Sequence, residues 1–303
     1  MVREILLAVM LLAAFHPILS KAESGSETRA CQAIEHALGS SCVSQNPLRV
    51  AVLDTGELDM VLALGINPIA STTPYQVGQF PQYLPTEHIQ IQSLGVVQEP
   101  DLEQLMRLKP DLILGSQFRH GRLYTLLSSI APTVFSESVG ASWADNLRLF
   151  ARALDKDTEA ENLLNEIDRQ CQTIRHLYDS KGQPSLSIVR SMQTHIRLYL
   201  PGSFIGELMN RCGLLRPTAQ SGKGFARRLR SPQQIDLLEG DIILLSEYSP
   251  KQGSLVQRWR HSGFWQRLRG QVYEIDDSYW MLGIGPLAAK QVLDDLEQII
   301  NDY

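Results

Sequence analysis

Two stretches of the chain spell variants of one segment. Residues 103–116 read EQLMRLKPDLILGS and residues 233–246 read QQIDLLEGDIILLS, identical at six of fourteen positions. Each predicts the last turns of an amphipathic helix, a break at Lys109-Pro110 or Glu239-Gly240, an aspartate, and an apolar strand ending in serine. A helix-break-strand unit present twice constrains the chain to two related α/β lobes. Such a duplication sets the C-terminal ends of two sheets opposite each other, and ligands bind where those ends leave a crevice.

The 303 residues, 44% of them hydrophobic, suffice to bury two cores. Arg3, the apolar run from Ile5 to Phe15, and Ser20-Lys21-Ala22 have the order of a secretory signal, residues 1–22, cleaved before Glu23. That run is short for a membrane span, and no other stretch approaches one. A free periplasmic protein is expected, because Cys31 lies well past the apolar run and does not resemble an acylation site. Without Arg3, Glu4 and Lys21 the mature chain carries a formal charge of −6, which argues against a nucleic-acid partner. The four cysteines, Cys31, Cys42, Cys171 and Cys212, make one or two disulfides plausible in an oxidising compartment, with three connectivities open.

Along the chain, a strand at Arg49 to Leu53 breaks at Asp54-Thr55-Gly56 and turns into a helix stopped by Gly65. Further strands are expected at 68–71, 111–115 and 133–135, with helices at 101–108 and 121–129. They complete an N-terminal α/β lobe over residues 23–142. A helical connector, 143–183, contains the capping box Thr158-x-x-Glu161. Apolar residues then recur at three- and four-residue steps from Ala160 to Tyr178. From Asp157 to Tyr178 this is a rod of about 33 Å at 1.5 Å per residue. The C-terminal α/β lobe, 184–303, has strands at 186–189, 196–200 and 272–275, a helix at 204–212, a basic loop at 222–230, the second repeat copy, and a final helix at 287–300. The expected fold is therefore α/β: two Rossmann-like lobes bridged by a single long α-helix, with a ligand cleft between them.

The ordered segments RVAVLDTGELDMVLALGINPIA, SLGVVQEPDLEQLMRLKPDLIL, SQFRHGRLY with SIAPTVF, IRLYLPGSFIGELMNRCGL, FWQRL and DDSYW resemble the ferric-siderophore binding proteins of ABC importers. The likeness spans nearly the whole mature chain and is nearest to the ferric citrate and hydroxamate-siderophore members of a class with a rigid helix between its lobes. It implies a monomeric periplasmic receptor that captures an iron(III)-siderophore complex and hands it to an inner-membrane permease and its ATPase. No resident cofactor and no protein-ligated metal are expected, since the chelator fills the iron's coordination sphere. The alternative within the class is a receptor for haem, cobalamin or a metal ion, with His120 and His195 as the histidines that could meet across the cleft.

The resemblance also implies site residues. Glu103 matches the exposed glutamate with which each lobe docks on permease arginines. Its counterpart in the second lobe is Gln233, a departure that leaves hydrogen bonding, Asp236 or Glu239 for docking on that side. Arginine forks match anionic oxygens and aromatics give flat contact area. Arg119 and Arg190 at strand ends, Trp280 in DDSYW, and Phe225 with Arg227 in the basic loop are therefore the expected ligand contacts. Tyr75, Tyr199 and Tyr248 are further candidates. Val97 stands where several relatives carry arginine, so the siderophore itself is open. Enzyme signatures are missing: there is no G-x-S-x-G elbow, no H-E-x-x-H and no Walker loop.

Overall fold

The computed structural model describes residues 31–74, 79–248 and 253–303. The expected signal segment 1–22 and Tyr75 lie outside them. The segment ahead of the first lobe, to which the sequence reading assigned no element, is a hairpin: β1 (Cys31–His36) pairs antiparallel with β2 (Gly39–Ser44). Cys31 and Cys42 are joined across it, and the turn docks on the first lobe where Ala37 N–H donates to Phe135 O.

The first lobe comprises β3 (Val50–Val52), α1 (Thr55–Ala63), β4 (Ala70–Thr73), β5 (Gln92–Val96), β6 (Glu99–Pro100), α2 (Leu102–Leu108), β7 (Leu112–Ser116), α3 (Gln117–His120), α4 (Tyr124–Ile130) and β8 (Thr133–Ser136). Its sheet has the order β6-β5-β4-β3-β7-β8, parallel except for the short edge strand β6. The central strands VAV and LILGS are buried on both faces, as a parallel sheet between helical layers requires. The helix in the first repeat copy ends at Lys109, which takes a left-handed conformation (φ 48°) before Pro110.

Two helices follow, α5 (Trp143–Leu154) and α6 (Asp157–Ser180), separated by Asp155 in a left-handed conformation. At 1.5 Å per residue α6 is about 36 Å long. It buries Ala160, Leu164, Ile167, Cys171, Ile174 and Tyr178, the three-and-four stripe read from the sequence.

The second lobe contains β9 (Leu186–Ser191), β10 (Ile196–Tyr199), α7 (Phe204–Arg211), β11 (Ala226–Leu229), β12 (Ile242–Glu247), α8 (Leu255–Arg260), β13 (Gln271–Glu274), α9 (Asp277–Trp280) and α10 (Pro286–Asp302). Its sheet runs β11-β10-β9-β12-β13; β9, β12 and β13 are parallel, whereas β10 and β11 are antiparallel. Part of the expected basic loop is thus the edge strand β11. The second repeat copy also differs from the first: Pro232–Leu238 is a 3₁₀ helix, begun by Pro232, rather than an α-helix.

A single apolar core joins the two sheets through α5, α6 and α10. The terminal helix α10 packs on α6 and returns to α1 of the first lobe, so the linking layer is more than one rod. A disulfide between Cys171 of α6 and Cys212 at the end of α7 ties that layer to the second lobe. Among the described residues no helix is long and apolar enough to cross a membrane.

Candidate functional site

The C-terminal ends of the first sheet and the facing end of the second enclose a cavity of about 510 Å³. Asp54 and Thr55 follow β3, Pro74 follows β4, Val97 and Gln98 follow β5, Phe118 and Arg119 follow β7, and Ser138 follows β8. The second lobe contributes Arg190 from β9, Arg197 and Tyr199 from β10, Phe225 before β11, and Met281, Leu282 and Ile284 before α10. A crevice of this size at strand ends, apolar with few convergent polar groups, is the geometry of a small-molecule site.

Its charged side chains are Asp54 and three arginines, Arg119, Arg190 and Arg197. Arg119 lies with Nε 2.6 Å from Asp54 Oδ2; the aspartate is buried and also caps α1 by accepting from Thr55 N–H at 2.7 Å. One turn into α1, Glu57 is buried beside them. Burial first, and then the negative charge of Asp54, push its carboxyl up to about 8. At neutral pH Glu57 therefore carries a proton.

Arg190 is almost fully buried. Its fork donates to both carboxylate oxygens of Asp277, Nη1 donates to Tyr199 Oη at 3.3 Å, and the guanidinium lies 4.9 Å from the Tyr248 ring centroid. Asp277 accepts in addition from Ser246 Oγ. This arginine is pinned in place by a bidentate pair, an aromatic face and a phenol. Arg197 is different: it is half-buried, directly opposite Arg190 in the sheet, and donates to His195 Nε2 at 3.2 Å without a carboxylate partner among the described residues. Tyr199 and Phe225 meet edge to face at 5.5 Å, and Phe225 and Phe118 are both exposed at the mouth, one from each lobe.

Of the ligand contacts expected from sequence, Arg119, Arg190, Tyr199 and Phe225 converge on the cavity. Trp280 does not line it. The indole is buried and its Nε1–H donates to Asp295 Oδ2 at 2.7 Å, a partner on α10 that a buried indole needs; the next residues, Met281 and Leu282, form the wall instead. Arg227 is also off the cavity, because strand alternation turns it to the face of Leu198, opposite Arg197. Tyr248 stands behind Arg190 rather than in the lining. His120 is buried, bonded to Val97 O at 2.7 Å, and burial lowers its pKa, so it is no free ligand for the cavity. Arg197 and Phe118 escaped the sequence reading. Arg197 was two residues before Tyr199 on the same strand and so had to share its face. Among the described residues no group of three His, Cys, Asp or Glu side chains could hold a metal ion.

On the outer surface, Glu103 is exposed in the first turn of α2, 3.6 Å from Arg107 one turn on. Gln233 is exposed and accepts from Ser231 Oγ. Asp236 pairs with Arg267, and the Glu239 carboxylate accepts the backbone N–H groups of Arg269 and Gly270.

A family model described as "Periplasmic binding protein" matches residues 50–278, and the chain belongs to that family. It is 29% identical to the "Probable siderophore-binding lipoprotein YfiY" of Bacillus subtilis, over 96% of this chain and 94% of that protein. The "Achromobactin-binding periplasmic protein" of Dickeya dadantii is 31% identical over 86% of this chain and 90% of its own. Among solved structures, Staphylococcus aureus SirA complexed with staphyloferrin B superposes with a TM-score of 0.81 at 28% identity, covering 89% of this chain and 98% of that one. The fold is that of two-lobed siderophore-binding proteins.

Proposed function

We propose that this protein captures an iron(III)-siderophore complex outside the cytoplasm and delivers it to an inner-membrane ABC permease, without catalysing a reaction. The observation that carries the reading is the convergence of Arg119, Arg190 and Arg197 with Tyr199, Phe225 and Phe118 on one interlobe cavity. A ferric chelate presents anionic oxygens on an apolar or aromatic shell, and guanidinium forks with flanking rings complement both. Relatives named for achromobactin and staphyloferrin B binding support the same ligand class. Residues 1–22 serve as a signal peptide in this reading. The lobes 23–142 and 184–303 close only slightly about the connector 143–183, and Glu103 and Gln233 face the permease.

The test is a titration of intrinsic tryptophan fluorescence with the ferric complexes of citrate, staphyloferrin B, hydroxamates and catecholates, and with haem and cobalamin. Trp143 is next to the cavity residue Ser142, and Trp280 adjoins Met281, so a ligand reaching the cavity changes their surroundings. Saturable quenching by a ferric chelate, weakened by Arg119→Gln, supports the reading. Saturation by haem, cobalamin or free metal alone overturns it.

A further inference from the structure

The chain has a formal charge of −5, yet between Leu186 and Ile235 it holds eight lysines and arginines against one acid, Glu207. The charge is ordered in space. Arg190, Arg197 and Arg228 are direct neighbours across β9, β10 and β11, and the exposed Arg230, one residue past the end of β11, is near enough to His195 to act on its charge. The row therefore starts at the buried, pinned Arg190, crosses Arg197 in the cavity wall, and ends on the exposed edge strand beside the cavity aromatic Phe225.

Like charges directly opposite one another weaken a sheet. Asp277 neutralises Arg190, but among the described residues no carboxylate pairs with Arg197, Lys223, Arg228 or Arg230. The field reaches a neighbour: the His195 imidazole is held below its ordinary pKa by burial first and then by Arg197, Arg228 and Arg230. A concentrated positive lip on a negative protein costs stability without an internal partner, and its effect on an approaching anion is attraction towards the cavity mouth.

We infer that Lys223, Arg228 and Arg230 at the lip of the second lobe form a capture surface that draws an anionic ligand into the cavity and sets its association rate. The inference rests on the reading that the ligand is an anionic ferric chelate. The lip acts before binding, whereas Arg119, Arg190 and Arg197 act in the bound complex.

Stopped-flow fluorescence with the ferric complexes of citrate and staphyloferrin B tests it on the mature protein and the variant K223Q/R228Q/R230Q. At about 10 mM ionic strength the variant loses about tenfold in association rate constant, with dissociation changed less than about twofold. The difference vanishes near 1 M salt, where the screening length falls to about 3 Å. A variant with the same charge change elsewhere on the surface, R152Q/R169Q/R269Q, keeps the parent rate, and matching melting temperatures establish that both are folded. Unchanged association, an equal loss in the control variant, or a loss confined to dissociation overturns the inference while the proposed function stands. No saturable equilibrium binding of any ferric chelate, whether citrate, staphyloferrin B, hydroxamate or catecholate, overturns both.

Discussion

Arg119 lies with its Nε 2.6 Å from Oδ2 of Asp54, so the arginine that the first lobe presents to the cavity is already engaged by a buried carboxylate. The pairing orients the guanidinium and also competes with an incoming anion. The two residues should therefore respond to substitution with opposite sign. If Arg119 contacts the ligand as proposed, Arg119→Gln should weaken binding of an anionic ferric chelate by about 1.5–3 kcal/mol, the worth of a charge-assisted hydrogen bond. Asp54→Asn keeps the cap on Thr55 N–H but removes the competing charge, and should tighten the same complex severalfold. Isothermal titration of both variants checks the signs; equal weakening by both would show that Asp54 serves the ligand rather than opposing it.

Glu57 gives the fold a pH dependence of defined direction. Its folded pKa, about 8, lies above the ordinary glutamate value, so the native state retains a proton that the unfolded chain has released. Its contribution is fully present below about pH 4.3 and is lost as pH rises through 8, at about 1.4 kcal/mol per pH unit in between. Relative to the parent, Glu57→Gln should gain stability steadily across that window and level off above it. Denaturant melts at half-unit pH steps read this directly, and a flat difference between the two proteins would refute it.

Asp59 ties α1 to the last helix. Its carboxylate accepts Leu287 N–H at 2.9 Å and Ala288 N–H at 3.0 Å, and Tyr83 Oη donates to it at 3.0 Å. It thus caps α10 from a distance of more than 200 residues in the chain. Gly285 is required at the junction, because a Cβ there would run into the Asp59 side chain. Asp59→Ala leaves two buried donors and a phenol without their acceptor and should cost about 2–4 kcal/mol. Asp59→Asn, which retains an acceptor, should cost less. Chemical denaturation orders the two variants.

The elements that carry strong periodicity were legible before the structure. Leu112–Ser116, Ile242–Glu247 and the stripe of α6 announce themselves because one face, or both, must be buried. The hairpin at Cys31–Ser44 and the edge strand Ala226–Leu229 were not. Both are polar on the outside and owe their conformation to a neighbour, the first to the β8 edge and the second to pairing with β10. The site was legible to the same extent. Arg119 and Arg190 follow from strand ends, a local property. Trp280 misled because its direction is decided by Asp295, fifteen residues on, and Arg197 was overlooked although its two-residue spacing from Tyr199 placed it on the cavity face.

The Cys171–Cys212 disulfide should contribute more than the Cys31–Cys42 bond. Closing a loop over a sequence separation of 41 rather than 11 removes more conformational freedom from the unfolded chain. The chain-entropy relation gives about 4 kcal/mol for the longer loop and about 3 for the shorter. The first also joins α6 to α7, whereas the second closes a hairpin on its own turn. Replacing Cys171 and Cys212 by serine should therefore lower the melting temperature further than replacing Cys31 and Cys42. Calorimetry of the two double variants decides the order.

Glu103 projects from α2 on the outside of the first lobe, exposed and, among the described residues, engaged only in a weak pair with Arg107, a pair worth less than about 1 kcal/mol. Neither stability nor the cavity needs it. In the second lobe the matching Gln233 has no charge, Asp236 is held by Arg267, and Glu239 is occupied with backbone N–H groups. If the two lobes sit on a permease, attraction to its basic residues therefore comes mainly from the first. Glu103→Ala should leave chelate affinity and melting temperature unchanged while reducing transport into cells several-fold. Gln233→Ala should do little, and Gln233→Glu should raise transport or leave it level. Uptake of ⁵⁵Fe-labelled chelate by cells producing each variant measures this. Normal uptake by the Glu103 variant would remove the residue from the docking surface.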